Sequence, residues 1–257
     1  ENDDPAMEDS TEHGPSGTLS YWFDLRNGVE LGYGFTRYQF DQEDGPAASD
    51  DIDSHEADVG YIHQFGPRTR SRLNYGLAVR NYKEETIDYQ IHDVSVGLEK
   101  DFSPHTSLTL QLGFYGPTGD VSEDTGILFA ADMDRQISHG SIVLGIRKGW
   151  DDDYMDSEKR DFTEYWSTQA RIEYDIFENL HIYVSGSYRK NSYALEETED
   201  DETYRGRCGL MLEFLRRFSL ALDYSYQDRR SDDPEDEYVG NMIMVTLSAS
   251  RPFKWVR

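Results

Sequence analysis

Hydrophobic and polar residues alternate with period two over most of the chain. From Phe218 to Gln227, Phe218, Leu220, Leu222, Tyr224 and Tyr226 fall on one side, and Ser219, Ala221, Asp223, Ser225 and Gln227 on the other. Successive side chains of an extended strand leave opposite faces, so this pattern predicts an amphipathic strand. The same holds for Leu180–Arg189, where Leu180, Ile182, Val184, Gly186 and Tyr188 oppose His181, Tyr183, Ser185, Ser187 and Arg189. It recurs at Val29–Thr36, Leu108–Phe114, Trp166–Ile176 and Ile243–Ser250. Residues 124–138 alternate less cleanly. The pattern predicts thirteen strands over 17–25, 29–41, 54–66, 70–85, 87–103, 107–120, 124–138, 140–157, 160–178, 180–197, 201–217, 218–233 and 237–254.

The polar side decides between two architectures. In a soluble sandwich it would face bulk water and favour Lys and Glu. Here it is rich in Gly, Ser, Thr and Gln, with Arg and Asp interspersed. That mixture suits an aqueous lumen. The segments reach the roughly 9–11 residues that a tilted membrane strand needs, beyond the roughly 5–6 usual in soluble sheets. Short connections (Arg26-Asn27-Gly28, Gly66–Thr69, Ser103–Thr106, Ser138–Gly140, Glu178-Asn179, Arg216-Arg217) alternate with long acidic ones. The expectation is an all-β chain, a transmembrane antiparallel up-and-down β-barrel of about 12–14 strands. Residues 1–16 read as an acidic N-terminal segment or outer loop, and 17–257 as the barrel. Bacterial single-chain barrels have even strand numbers. The odd count means that a strand is split or missed, or that an N-terminal strand is missing from this chain, and the turn phase favours the missing strand.

Bulk composition alone would hide this reading. Hydrophobic residues make up 37%, charged residues 30%, and mean hydropathy is -0.77. Eighteen Tyr, 12 Phe and 4 Trp are too many for a solvated coil and need ordered positions. No run of 18 apolar residues is present for a transmembrane helix. The net charge of -26 excludes nucleic acid as a partner. The acid is concentrated in Glu43–Asp53, Glu84–Asp88, Asp151–Asp161, Glu196–Glu202 and Asp228–Glu237, as solvated loops or as surface sites for divalent cations. The one cysteine, Cys208, sits mid-strand and excludes an intrachain disulfide. No signal peptide is visible, and Glu1-Asn2-Asp3-Asp4 has the look of a mature or trimmed end.

Aromatic residues near strand ends predict an interfacial girdle: Trp22, Trp150, Trp166, Tyr193, Tyr238 and Trp255. Charged residues on the polar side are candidates to line the lumen: Arg80, Arg147, Arg171, Glu173, Arg189, Arg205, Arg207 and Asp223. They form either a rigidifying ion-pair network or a selectivity surface for a charged solute. The net acid excess mildly favours cations. Nothing indicates an enzyme. His139 and Ser141 adjoin a short turn with no third partner, and HExxH, GxGxxG and P-loop patterns are absent. No catalytic residue, metal ligand or cofactor is expected.

The stretch Ser225–Trp255 reads SYQDRRSDDPEDEYVGNMIMVTLSASRPFKW. A Tyr-rich strand, then Arg-x-Ser-Asp at 229–232, then Glu-Tyr-x-x-Asn at 237–241 and a final alternating strand resemble the family described as putative beta-barrel porin 2. That resemblance implies an outer-membrane channel of the kind associated with exopolysaccharide gene clusters, with polysaccharide or another polar solute as cargo and outer-membrane lipid as its surroundings. The alternative is a structural or scaffold barrel with a plugged lumen that binds a partner or surface polymer through its acidic outer loops. Solute, oligomeric state and loop position stay open at this level.

Overall fold

The computed structural model describes residues 10–40, 52–82, 88–119, 125–152, 162–193, 200–214, 218–232 and 237–249. They form 14 strands: β1 (Ser10–His13), β2 (Ser16–Trp22), β3 (Asn27–Phe40), β4 (Ile52–Gly66), β5 (Thr69–Tyr82), β6 (Tyr89–Ser103), β7 (Thr106–Gly119), β8 (Gly126–Ile137), β9 (Gly140–Asp152), β10 (Phe162–Phe177), β11 (Leu180–Tyr193), β12 (Asp200–Phe214), β13 (Phe218–Ser231) and β14 (Tyr238–Ala249). Every pairing from β3 onward joins consecutive strands in antiparallel fashion, an up-and-down meander in one sheet. Most strands run 12–16 residues, the length range of membrane strands rather than soluble ones. The strand expected at 124–138 is present, shortened to Gly126–Ile137.

Both β1 and β2 pair with β3, β1 along Arg37–Phe40 and β2 along Gly28–Gly34. They act as one strand interrupted at Gly14-Pro15, so the described part of the segment 1–16, read from sequence as an acidic N-terminal segment or outer loop, already contains strand at Ser10–His13. Proline has no N–H for the ladder and hides the alternation. The carbonyl of Pro15 still accepts from the Phe35 amide at 3.0 Å, so the ladder resumes at once.

The short turns share one end of the sheet. At the first, the Asp24 carboxylate accepts from the amides of Arg26 (2.6 Å) and Asn27 (2.8 Å) and from the Asn27 side chain (2.8 Å). The Asn27 side chain, followed by the Arg26 amide, holds this carboxyl below the usual carboxylate range. An Asp at this place closes the turn locally, without tertiary help.

Burial runs opposite to that of a soluble protein. Leu112 (57% exposed) and Val184 (58%) stand open, while Ser95 on the other side is 2% exposed. By register, Val29, Leu31, Val59, Leu73, Val96, Leu110, Ile146, Ile172 and Leu222 share the exposed side. Such an apolar side in water would cost roughly 1.5–3 kcal/mol per large side chain left unburied. Lipid removes that cost. Charges on this side, such as Lys100, Arg135, Lys148 and Lys190, sit toward strand ends, where they reach headgroups.

The buried residues Ile52, Ala78, Arg80, Tyr89, Ile91 and Tyr115 all lie on the polar side, toward the end that carries the long connections. Tyr115 lies flat across Gly126, where a Cβ would fall 2.0 Å from its ring. Only glycine fits there.

The sheet is open among the described residues, with β2 and β14 as its edges. With β1 and β2 counted once, the 14 strands give thirteen passes, so both edge strands run from the long-loop end to the short-turn end. Direct pairing of the two edges would be parallel, unlike every other pairing in the sheet.

The assignment of faces predicts unequal costs for a new charge. Ile146→Arg, on the apolar side at mid-strand, should lower stability in lipid vesicles by about 2–4 kcal/mol. Thr109→Arg, on the polar side in register with Glu99 and Asp132, should cost less than about 1 kcal/mol. Urea unfolding from vesicles measures both, and the reverse ranking would invert the faces.

Candidate functional site

The polar side of β9–β13 carries a lane of arginines whose spacing follows from strand register. One cross-strand row runs Arg171, Ser185, Arg207, Ser225. The next row toward the long-loop end runs Gln169, Ser187, Arg205, Gln227. The third runs Arg147, Ser167, Arg189, Thr203. Small side chains between the guanidiniums leave a groove of about 310 Å³ lined by Arg171, Arg205, Arg207, Ser185, Ser187 and Gln169, among others.

Partners hold several of these side chains. Arg171 Nε donates to Glu173 at 2.6 Å, and its guanidinium lies 4.9 Å from the centre of the Tyr183 ring. Arg189 donates to Asp151 at 2.9 Å and lies 4.5 Å from the Tyr165 ring. Arg147 donates to Asp132 at 3.1 Å. The Tyr183 hydroxyl donates to Asp223 at 2.6 Å. Its ring crosses Gly209, where a Cβ would stand 2.5 Å from both the ring and the carboxylate.

The polar side of β3–β8 has the opposite balance. Arg70 pairs with Glu99 at 2.5 Å, and Arg72 pairs with Glu30. Asp58 and Asp93 fall in one row on either side of Gly76, and each of these two carboxylates lies against a glycine, Gly32 and Gly76 respectively. A cavity of about 460 Å³ here is lined by Glu30, Asp58, Arg70, Arg72, Asn74 and Glu99, among others.

Arg80, Arg147, Arg171, Glu173, Arg189, Arg205, Arg207 and Asp223 thus all lie on the polar side. Arg80 stands apart from the rest: its side chain is 1% exposed and donates to the more open Glu56 at 2.7 Å, so it braces the wall rather than meeting solvent. Arg70 and Arg72 were not singled out from sequence. The alternation Arg70, Arg72, Asn74, Gly76 carries the signal, at a strand start where register is hardest to read.

The aromatic set divides. Trp166 lies on the apolar side with Lys148 and Lys190, the position of a girdle residue. Trp22 and Tyr238 lie at strand ends on the polar side, Trp22 against Gly28 and Tyr238 bonded to Gln227. Proximity to a strand end fixes depth in the membrane, but residue parity fixes the face. Trp150 packs on the cluster of Ala78, Tyr89, Ile91 and Tyr115. Tyr193 ends β11, and Trp255 lies outside the described residues.

No nucleophile–base pair forms at the short turn. The His139 ring meets Tyr174 edge-on at 6.2 Å, while Ser141 Oγ lies 3.5 Å from Glu173. Among the described residues no group of three or more His, Cys, Asp or Glu could hold a metal ion. Most of the acidic stretches considered for divalent cations lie outside those residues.

The profile of the family described as putative beta-barrel porin 2 matches residues 162–251, from β10 through β14. No curated protein matches the chain. Among solved structures, Acinetobacter baumannii OccAB4 is similar at 13% identity and a TM-score of 0.50, over 91% of this chain and 64% of that one. FyuA, the ferric yersiniabactin uptake receptor of Yersinia pestis, is similar at 8% identity and a TM-score of 0.53, over 89% and 44%. The ferric enterobactin receptor PfeA of Pseudomonas aeruginosa gives 9% identity and a TM-score of 0.50, over 93% and 53%. The chain spans less than two thirds of the length of each. The likeness is one of fold. With the family match, it assigns the chain to the outer-membrane β-barrels of bacteria.

The Tyr183–Asp223 contact over Gly209 yields a test of coupling. Tyr183→Phe should cost about 1 kcal/mol, the worth of one hydrogen bond. Gly209→Val displaces the ring and should abolish that cost, so a double-mutant cycle by urea unfolding should be non-additive by a similar amount, about 1 kcal/mol. Additive costs would show that the contact is not formed.

Proposed function

We propose that the chain forms the wall of a porin-like channel through which polar solutes cross the bacterial outer membrane. The observation that carries this reading is the inverted arrangement of the sheet. One side is apolar and open to lipid, and the other holds grooves lined by Arg, Ser, Gln, Asn and carboxylates. Solutes rich in hydroxyl groups, polysaccharides among them, suit such a wall. Ser and Gln donate to and accept from hydroxyls without the desolvation cost of a charge. The lining residues of this reading are Arg147, Arg171, Glu173, Arg189, Arg205, Arg207 and Asp223, with Arg80 as a brace. Trp166 anchors the barrel at the interface with outer-membrane lipid.

One observation favours a second reading, a scaffold barrel whose lumen is filled. Toward the long-loop end, Arg80, Tyr89, Tyr115, Thr163 and Asp201 are all buried on the polar side, while toward the short turns Arg70, Thr109 and Gln111 on that side are exposed. Most of the fully covered polar-side residues thus gather toward the long-loop end, although Ile62 is buried near the short turns and Tyr238 is exposed at the other end.

Single-channel recording in planar bilayers separates the two readings. The channel reading predicts discrete conductance steps and uptake of a neutral sugar by vesicles containing the protein. Neither conductance nor uptake, in a preparation whose gel migration changes on boiling as expected for a folded barrel, would reject the channel and leave the scaffold.

A further inference from the structure

Arg205 and Arg207 differ from their neighbours. Every other polar-side arginine described, from Arg70 to Arg229, pairs with a carboxylate. Among the described residues no carboxylate pairs with Arg205 or Arg207, and both are exposed. They stand two positions apart on β12, so their side chains leave the same side about 7 Å apart along the strand. Arg171 lies in the row of Arg207 with only Ser185 between them, about 10 Å away across two strand spacings. The groove of about 310 Å³ lies among these three cations.

Like charges held this close repel one another, and an exposed neighbouring pair does not form to stabilise a sheet. The contrast with the rest of the chain sharpens the point. A protein of net charge -26 has carboxylates in large excess, yet the two nearest are engaged elsewhere, Glu173 by Arg171 and Asp223 by the Tyr183 hydroxyl. Arg205 and Arg207 leave a local excess of positive charge in an acidic molecule, for which the described strands supply no paired carboxylate.

The geometry points to a sugar acid, a hydroxyl-rich solute carrying a carboxylate, as the ligand of this groove. Guanidinium groups present a fork of donors that matches a carboxylate with two parallel hydrogen bonds. Ser185, Ser187 and the Gln169 amide line the same groove, and Gln227 continues the row of Arg205. These neutral groups both donate and accept, as hydroxyls require. Placement on the polar side brings such a solute along the path of the proposed channel, and for that path the inference rests on the channel reading.

Titration calorimetry on the full chain folded in detergent micelles, with glucuronate and glucose as probes, tests the inference. Glucuronate should bind at least about tenfold more tightly than glucose, since hydrogen bonds to a charged group are stronger than those between neutral groups. The R205Q/R207Q variant keeps the hydrogen-bonding reach and loses the charge, and its affinity for glucuronate should fall by about tenfold or more while that for glucose stays. Should that variant fail to show boil-sensitive gel migration, R205K/R207K serves instead. It keeps the charge and loses the fork, and should weaken glucuronate binding selectively. Equal binding of the two probes, or unchanged glucuronate affinity in the folded variant, overturns the inference. Conductance of the same preparation keeps the two readings distinct. Binding that depends on both arginines without conductance supports the site and rejects the channel. Conductance without glucuronate preference rejects the site and keeps the channel.

Discussion

Backbone hydrogen bonding without water constrains everything else in this chain. In a bilayer core each N–H and C=O must find a partner within the protein, which leaves a barrel of antiparallel strands, closed so that no edge meets lipid, as one of two spanning solutions. The sequence has no apolar run for the other solution, the helix. Its 12–16-residue strands instead pair with their sequence neighbours along nearly their full length. Once the ladder is fixed, the period of two decides which residues meet lipid. A slip by one residue would turn Arg171, Arg205 and Arg207 into hydrocarbon, so the alternation itself holds the register.

Register then organises the charges. Because cross-strand neighbours share a face, Arg70 meets Glu99 and Arg147 reaches Asp132 without any loop bringing them together. Side chains this open to water gain little stability from such pairs. The pairs set where the wall is neutral and where it is not. Glycine performs a related task at Gly126 and Gly209, where a tyrosine ring lies across the strand in the space a side chain would occupy.

Much of this was legible in the sequence. The strands at Phe218–Ser231 and Leu180–Tyr193 follow directly from an alternation without breaks. Of the first pass the strand at 17–25 was read but its Ser10–His13 part was hidden by Pro15, and Arg70 and Arg72 by an uncertain strand start, because pattern reading weakens at element ends. Parity also placed all eight charged residues singled out on the polar side. What the pattern could not supply is pairing. The burial of Arg80 and the absence, among the described residues, of a carboxylate partner for Arg205 and Arg207 depend on cross-strand neighbours that are distant in sequence. The aromatic residues were the weakest reading, since nearness to a strand end carries no information about which face Trp22 or Tyr238 takes.

The two edges, β2 and β14, run the same way and leave a seam that the described strands do not close. The central claim concerns the faces, and the chain has its own reporter. Cys208, the sole cysteine, is exposed on the apolar side midway along β12, next to Arg207 on the polar side. With the protein in lipid vesicles and a charged, membrane-impermeant thiol reagent on both sides, Cys208 should stay unmodified. Arg207→Cys in a Cys208→Ala background should react readily. Rapid modification of Cys208 together with protection at position 207 would contradict the assignment of lipid and water to the two sides of the sheet.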